Sequence, residues 1–320
     1  MHETLIENEE IMSNFGIIPI DTNFIRSKYN ASHLICHDGK AAFVDVGTSN
    51  NIELLEDALT DNNLDKGDVE FVFLTHVHLD HAGGAGKLMQ NLPNAKLIVH
   101  PYGAKHMIDP SKLIASSERV YGKNLFNQLF GDVLPVEEQK ILSPEDGQEL
   151  LLNNRTMRIF YTEGHARHHY CIYDEYSKSV FSGDSFGMSL REFDSKKGSF
   201  IIPITAPTQF DPNEAHNAID EIIKYQPDAI YLAHYSKIEQ TEKLGSDMHD
   251  LIDDFVDIAL LYKNEGKRME HIHKKLQSHL MHKLRSHGCI LDDAQIKNIL
   301  QSDLYVNAAG LDFWLTKHAP

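Results

Sequence analysis

Short runs of β-branched and aromatic residues recur along the first 220 or so positions and once more just beyond, at 41–47, 69–75, 97–100, 157–161, 179–182 and 229–233. Each of them reaches or precedes a histidine, an acid or a glycine. Runs of this length separated by helical patterns predict strands alternating with helices in a layered α/β architecture. The helix from Asp211 is well marked. Asp211 suits the N-cap, Pro212 the first helical position and Glu214 the capping-box place, with Ala215, Ile219, Ile222 and Ile223 following at helical spacing. Loops at strand ends are anchored by the sheet, so polar side chains on them can converge on one spot.

After about residue 240 the pattern becomes helical to the end. Leu251, Ile252, Phe255, Ile258, Ala259 and Tyr262 share one face, and further helical stretches start near His271 and Asp292. This predicts an α/β domain over 1–240 and a helical segment over 241–320 that packs on the sheets, covers the site or mediates a homodimer contact.

Charge and cysteine usage narrow the function classes. With 47 acidic against 30 basic residues the formal charge is −17, which argues against a nucleic-acid partner. No apolar run approaches the roughly 20 residues that span a bilayer, and the first fifteen residues are acidic where a secretory signal would be basic, so a cytoplasmic protein without a membrane partner is expected. Cys36, Cys171 and Cys289 form no CxxC pair, which points away from a disulfide framework or a cysteine metal site.

The stretch Thr75-His76-Val77-His78-Leu79-Asp80-His81-Ala82-Gly83-Gly84 directly follows the strand pattern at 69–75. His76 and His78 are two apart in an extended segment, so their side chains point the same way, as two ligands of one ion must. Asp80 and His81 fall where the chain turns into a helix beginning around 82–86, and Gly83 and Gly84 supply backbone freedom and close approach there. Four ligand-type residues in six positions would leave several polar groups without partners unless a metal bound them. His165 in Gly164-His165-Ala166, Asp184 in Ser182-Gly183-Asp184-Ser185 and His234 in Ala233-His234-Tyr235 follow three later strand patterns.

In this order and at these intervals, Asp45, the HxHxDH run, His165, Asp184 and His234 resemble the motifs of the metallo-β-lactamase superfamily, over residues from about 17 to 240. The resemblance implies an αββα sandwich, two mixed β-sheets between helical layers, here with a C-terminal helical appendage. It implies that His76, His78 and His165 bind one metal, that Asp80, His81 and His234 bind another, and that Asp184 bridges them. Asp45 would then accept a hydrogen bond from a ligand histidine, with Thr75 and His169 as further supporting residues.

Two divalent ions about 3.5–4 Å apart lower the pKa of a shared water and polarise a carbonyl or phosphoryl oxygen, so hydrolysis of a small-molecule substrate is the expected reaction. Asp80 and Asp184 as ligands, and Tyr235 as proton donor or oxyanion contact, complete the candidate catalytic set. Histidine and carboxylate ligands suit zinc, and also iron or manganese. The segments 78–84 and 164–169 are similar to the lactonase, glyoxalase-II-like and thioesterase branches, and the C-terminal helices to a quinolone-pathway member. An acyl bond, in an ester, lactone or thioester, is therefore the first expectation. A small-molecule phosphodiesterase, an iron-dependent persulfide dioxygenase and a regulatory protein with a retained metal site are the alternatives. The stretch 186–210, with Met188, Leu190, Phe193, Phe200, Ile201 and Ile202, is read either as a substrate-facing loop or as an ordinary connection with a hairpin.

Overall fold

A computed structural model describes residues 15–205 and 208–318. The acidic stretch 1–14 and the pair 206–207 within the 186–210 loop lie outside the described residues. The chain divides into two compact units. The first runs to Tyr161 and includes Tyr170–Gly183; the second comprises Thr162–His169 and the chain from Asp184.

In the first unit, six strands form one sheet in sequence order: β1 (Ile17–Asp21), β2 (Ala31–His37), β3 (Lys40–Val44), β4 (Val69–Leu74), β5 (Lys96–Val99) and β6 (Ile141–Leu142). The first three pair antiparallel and β3 to β6 pair parallel. A central strand with helices on one side and a second sheet on the other is buried on both faces, so β3 from Ala41 and β4 from Phe71 read as unbroken apolar runs and not as alternation. Ala41, Phe43, Val72, Leu74 and Val99 join a core with Ile52, Leu55 and Leu88 from the flanking helices. Their neighbours Ala42, Val44, Phe73 and Ile98 are equally buried on the opposite face. The second sheet begins as an antiparallel meander of β7 (Glu149–Leu152), β8 (Arg155–Tyr161), β9 (Tyr170–Asp174) and β10 (Ser179–Gly183). Tyr170 of β9 donates its hydroxyl to the Ile98 carbonyl of β5 at 2.8 Å, and the His33 and Phe181 rings meet at 5.5 Å. Helices α1 (Ile52–Asp61), α2 (Leu79–Ala82), α3 (Ala85–Asn91), α4 (Pro101–Ile108), α5 (Ser111–Tyr121) and α6 (Lys123–Phe130) complete this unit.

The second unit contains α7 (Pro212–Lys224), the antiparallel pair β11 (Ala229–Leu232) and β12 (Ser236–Ile238), and three long helices, α8 (Thr241–Leu261), α9 (Arg268–His287) and α10 (Asp293–His318). Asp211 caps α7 as its residue type requires, its carboxylate accepting from the Asn213 and Glu214 amides at 3.0 and 3.3 Å. The change of pattern near residue 240 coincides with the end of β12 at Ile238 and the start of α8 at Thr241. Among the described residues no helix is long and apolar enough to cross a membrane.

One local expectation shifts. The helical turn begins at Leu79, so Asp80 and His81 lie on it and not before it. Gly83 and Gly84 both take ordinary helical φ values, −60° and −83°, so backbone freedom is not what is used there. Gly84 serves close approach: a Cβ on it would stand 2.8 Å from the Thr48 carbonyl oxygen and 2.6 Å from the Ile52 side chain.

Candidate metal centre

Strand β4 ends at Leu74, and the next ten residues carry the first group of candidate ligands. His76 and His81 are fully buried, and His78 and Asp80 are half-buried. The side chains of His76 and His78 do point the same way, with His76 Nε2 2.9 Å from His78 Nδ1. His81 Nε2 lies 3.5 Å from an Asp80 carboxylate oxygen. The loop after β3 is stitched to this turn by two backbone bonds, Val46 N to His81 O at 2.8 Å and Gly84 N to Gly47 O at 3.0 Å.

Asp45 organises the group. It sits at the end of β3 in the left-handed region, φ 53°, which an aspartate tolerates better than a branched residue. One carboxylate oxygen accepts from the Thr75 amide at 2.8 Å and the other lies 3.0 Å from His81 Nδ1. The Thr75 hydroxyl donates to the same carboxylate at 2.9 Å. A buried carboxylate accepts the Nδ1 proton of His81, which leaves Nε2 with its lone pair, the tautomer a metal needs. Tyr121 at the end of α5 also stands near this group. Its hydroxyl is pushed up to about 12 by burial and by the nearby Asp80 carboxylate, although the residue as a whole is 41% exposed. No motif marks it, because only tertiary structure brings α5 beside Asp80.

The second unit carries the other three. His165 follows Gly164, whose φ of 113° and close approach to the Ala215 backbone require a glycine. The Asp184 carboxylate faces one histidine with each oxygen: His165 Nε2 lies 3.4 Å from Oδ2 and His234 Nε2 3.7 Å from Oδ1. His165 Nδ1 donates to the Ile204 carbonyl at 3.3 Å, again leaving Nε2 for an ion. His169 is fully buried. Its Nε2 accepts from the Asp184 backbone amide at 3.3 Å, and its Nδ1 lies 2.9 Å from the Thr162 hydroxyl and 3.0 Å from that of Ser185. It therefore holds the backbone of Asp184. Tyr235 is half-buried, its amide donates to the Ser189 carbonyl at 3.4 Å, and its phenol lies within electrostatic reach of the Arg191 guanidinium.

Most of the apolar side chains of 186–210 are core. Phe186, Leu190 and Phe193 are fully buried, and Met188 and Ile202 exchange backbone hydrogen bonds at 2.9 and 2.8 Å. The part beside the candidate ligands is Pro203, Ile204 and Phe210, which line a narrow crevice with His165, Asp184 and the α8 residues Met248 and Ile252. Asn307 of α10 holds this wall in place. Its amide oxygen accepts from the Thr205 amide at 2.8 Å and its amide nitrogen donates to the Pro203 carbonyl at 3.0 Å. Imidazole nitrogens, those of His81 and His165 with a partner that fixes the tautomer, and carboxylates form a donor set suited to a divalent metal, and no cysteine is among them.

Residues 28–234 match the model of the metallo-beta-lactamase superfamily. A metallo-beta-lactamase fold-containing protein of Sulfurisphaera tokodaii is 29% identical over 206 residues, 63% of this chain and 71% of that protein. A hydroxyacylglutathione hydrolase of Vibrio vulnificus is 30% identical over 145 residues, 45% of this chain and 42% of that enzyme. The crystal structure of an archaeal metallo-beta-lactamase superfamily protein from Sulfolobus tokodaii matches with a TM-score of 0.65 at 24% identity, covering 93% of this chain and 99% of the other. A metallo-beta-lactamase family protein from Thermus thermophilus matches with a TM-score of 0.66 at 17% identity, covering 94% and 92%. These likenesses show the fold, two β-sheets flanked by helices with further helices at the C-terminus.

Proposed function

Since the chain belongs to the metallo-beta-lactamase superfamily, we propose that it is a metallo-hydrolase in which His76, His78, Asp80, His81, His165, Asp184 and His234 hold two divalent ions and which cleaves an acyl bond of a small molecule. The observation that carries this reading is the Asp184 carboxylate with each oxygen turned to a different histidine Nε2, as a bridging ligand requires. Zinc suits the donor set, and so do iron and manganese. When bound, the ions would supply an activated water and an electrophile for the scissile carbonyl.

The chain's own residues have the remaining tasks. Asp45 and the Ile204 carbonyl fix the tautomers of His81 and His165. Ile204, Phe210, Met248 and Ile252 offer an apolar wall for the acyl portion of a substrate and keep water from one side of it. Tyr235, beside His234, is the proposed donor to the leaving group or contact for the oxyanion. A small acyl substrate is favoured by that narrow crevice, by the net charge of −17, which disfavours polyanions, and by the relative named a hydroxyacylglutathione hydrolase.

Elemental analysis of the purified protein, coupled to hydrolysis assays on a lactone, a thioester and a phosphodiester, tests this. At least two metals per chain with turnover of the lactone or thioester is the expected result. Turnover of the phosphodiester alone would move the reaction to phosphoryl chemistry. About one iron with no hydrolysis would overturn the hydrolase reading and direct the assay to oxygen consumption with persulfides.

A further inference from the structure

Away from the residues assigned above, helices α7 and α8 bring two histidines and two aspartates together. His216 and Asp220 are one helical turn apart on α7, and His249 and Asp253 are one turn apart on α8. The pairs cross over. His216 Nε2 lies 3.1 Å from an Asp253 oxygen, and His249 Nε2 lies 3.2 Å from an Asp220 oxygen. The remaining ring nitrogens, both Nδ1, face each other at 2.6 Å. The ring planes are 9° apart and the centroids 4.9 Å apart. Parallel rings whose nearest nitrogens are so much closer than their centres lie edge to edge, nitrogen to nitrogen, and not face on face.

The donors and acceptors around the two rings restrict what can lie between them. An ionised carboxylate only accepts, so each aspartate requires a proton on the Nε2 it faces. A neutral imidazole with its proton on Nε2 has a bare lone pair on Nδ1. The aspartates thus prepare both Nδ1 atoms as acceptors aimed at one point, and two lone pairs at that distance repel unless a cation separates them. The cation is either one shared proton or a metal ion. The aspartates stand behind the rings as Asp45 stands behind His81, the arrangement that orients a histidine ligand and raises its basicity. His76 Nε2 and His78 Nδ1, assigned above to one ion, are drawn together in the same way at 2.9 Å.

We propose that His216 and His249 form a second metal site, which binds a divalent late first-row ion such as zinc, nickel or copper through the two Nδ1 atoms, with water completing the coordination. Imidazole nitrogen suits these ions and discriminates against magnesium and calcium. Zn–N bonds of about 2.0–2.1 Å need the two nitrogens somewhat further apart than they stand, a change that side-chain rotation supplies. The two imidazoles are partly exposed, at 26% and 31%, so an ion has a path in and exchanges readily. Bound there, it clamps α7 to α8 next to Met248, which lines the crevice beside His165 and Asp184. The site therefore ties the stability of that wall to metal supply without belonging to the hydrolytic centre.

The test is equilibrium dialysis of the full chain against Zn²⁺ near neutral pH, comparing the wild type with the double variant His216→Gln/His249→Gln. The wild type is expected to bind one zinc more than the double variant, with hydrolytic activity unchanged between them. The variant Asp220→Asn/Asp253→Asn is expected to keep the extra zinc but bind it ten- to a hundredfold more weakly, and it serves also if the histidine variant fails to fold. The Asp184→Ala protein should still bind this one ion, so failure of the proposed hydrolytic centre and failure of this site are told apart. Equal stoichiometry and affinity in the wild type and both double variants, with nickel and copper as with zinc, would overturn the proposal and leave a shared proton between the rings.

Discussion

At the scale of single residues, supporting contacts set how well the proposed ligands are held for an ion. The Asp45 carboxylate makes four polar contacts of 3.1 Å or less, to the Thr75 amide and hydroxyl and to His81. Replacing Asp45 by asparagine keeps the shape but removes the charge behind the imidazole. Asp45→Asn is therefore expected to weaken metal binding ten- to a hundredfold, measured by competition with a chromophoric chelator. Asp184→Ala removes the carboxylate that faces both His165 and His234, and the two ions of the proposed hydrolytic centre should be lost together with activity; retention of both of them would refute its bridging role. The HxHxDH run was legible in sequence because its information is local: spacing sets direction. The setting of His169 was not legible, since Thr162 and Ser185, which meet its Nδ1, become its neighbours only when the chain folds back.

At the scale of elements, the site depends on how closely segments approach. Gly164 precedes His165 at φ 113°, and a Cβ there would stand 2.5 Å from the Ala215 amide nitrogen at the start of α7. Gly164→Ala adds a left-handed backbone penalty of roughly 1–2 kcal/mol to that clash, so urea denaturation should show a loss above this figure and the variant should bind metal less tightly. Strands β3, β4, β5, β8, β10 and β11 and helix α7 were readable because each is a compact apolar or periodic run with its own stop or cap, whereas β1, β2, β6, β7, β9 and β12 lie outside the runs that mark strands in the sequence. The helical turn starts at Leu79, before the range 82–86 that the sequence pattern suggests. The His78 carbonyl closes the turn by accepting from the His81 amide at 3.0 Å and the Ala82 amide at 2.9 Å, a choice the residue types alone do not display.

For the whole molecule, acid is the sharpest probe of how the sheets are filled. Burial lowers His33 to about 3 and His100 to about 4 from the ordinary 6.5, so the fold holds both neutral. The unfolded chain takes up protons at these residues below pH 6.5 while the folded chain does not. Their contribution to stability is complete above pH 6.5 and falls as the pH drops toward 4. Each unit of pH in that window costs about 1.4 kcal/mol per histidine. Urea titrations at several pH values should show a shallower decline for His33→Gln than for the wild type, and equal slopes would mean that His33 is accessible to protons in the folded state.

The sequence by itself determined the layered α/β class, the helical character of the C-terminal part and the identity of the candidate ligands, because period, capping and strand-end placement are properties of neighbouring residues. Tertiary structure alone decided that Asp45 holds both Thr75 and His81, that Asn307 braces the wall at Pro203 and Thr205 from 102 residues away, and that His216 meets His249. Those contacts join residues far apart in the chain. Their energies depend on distances that no local pattern encodes, and they exist only once burial has brought the elements together.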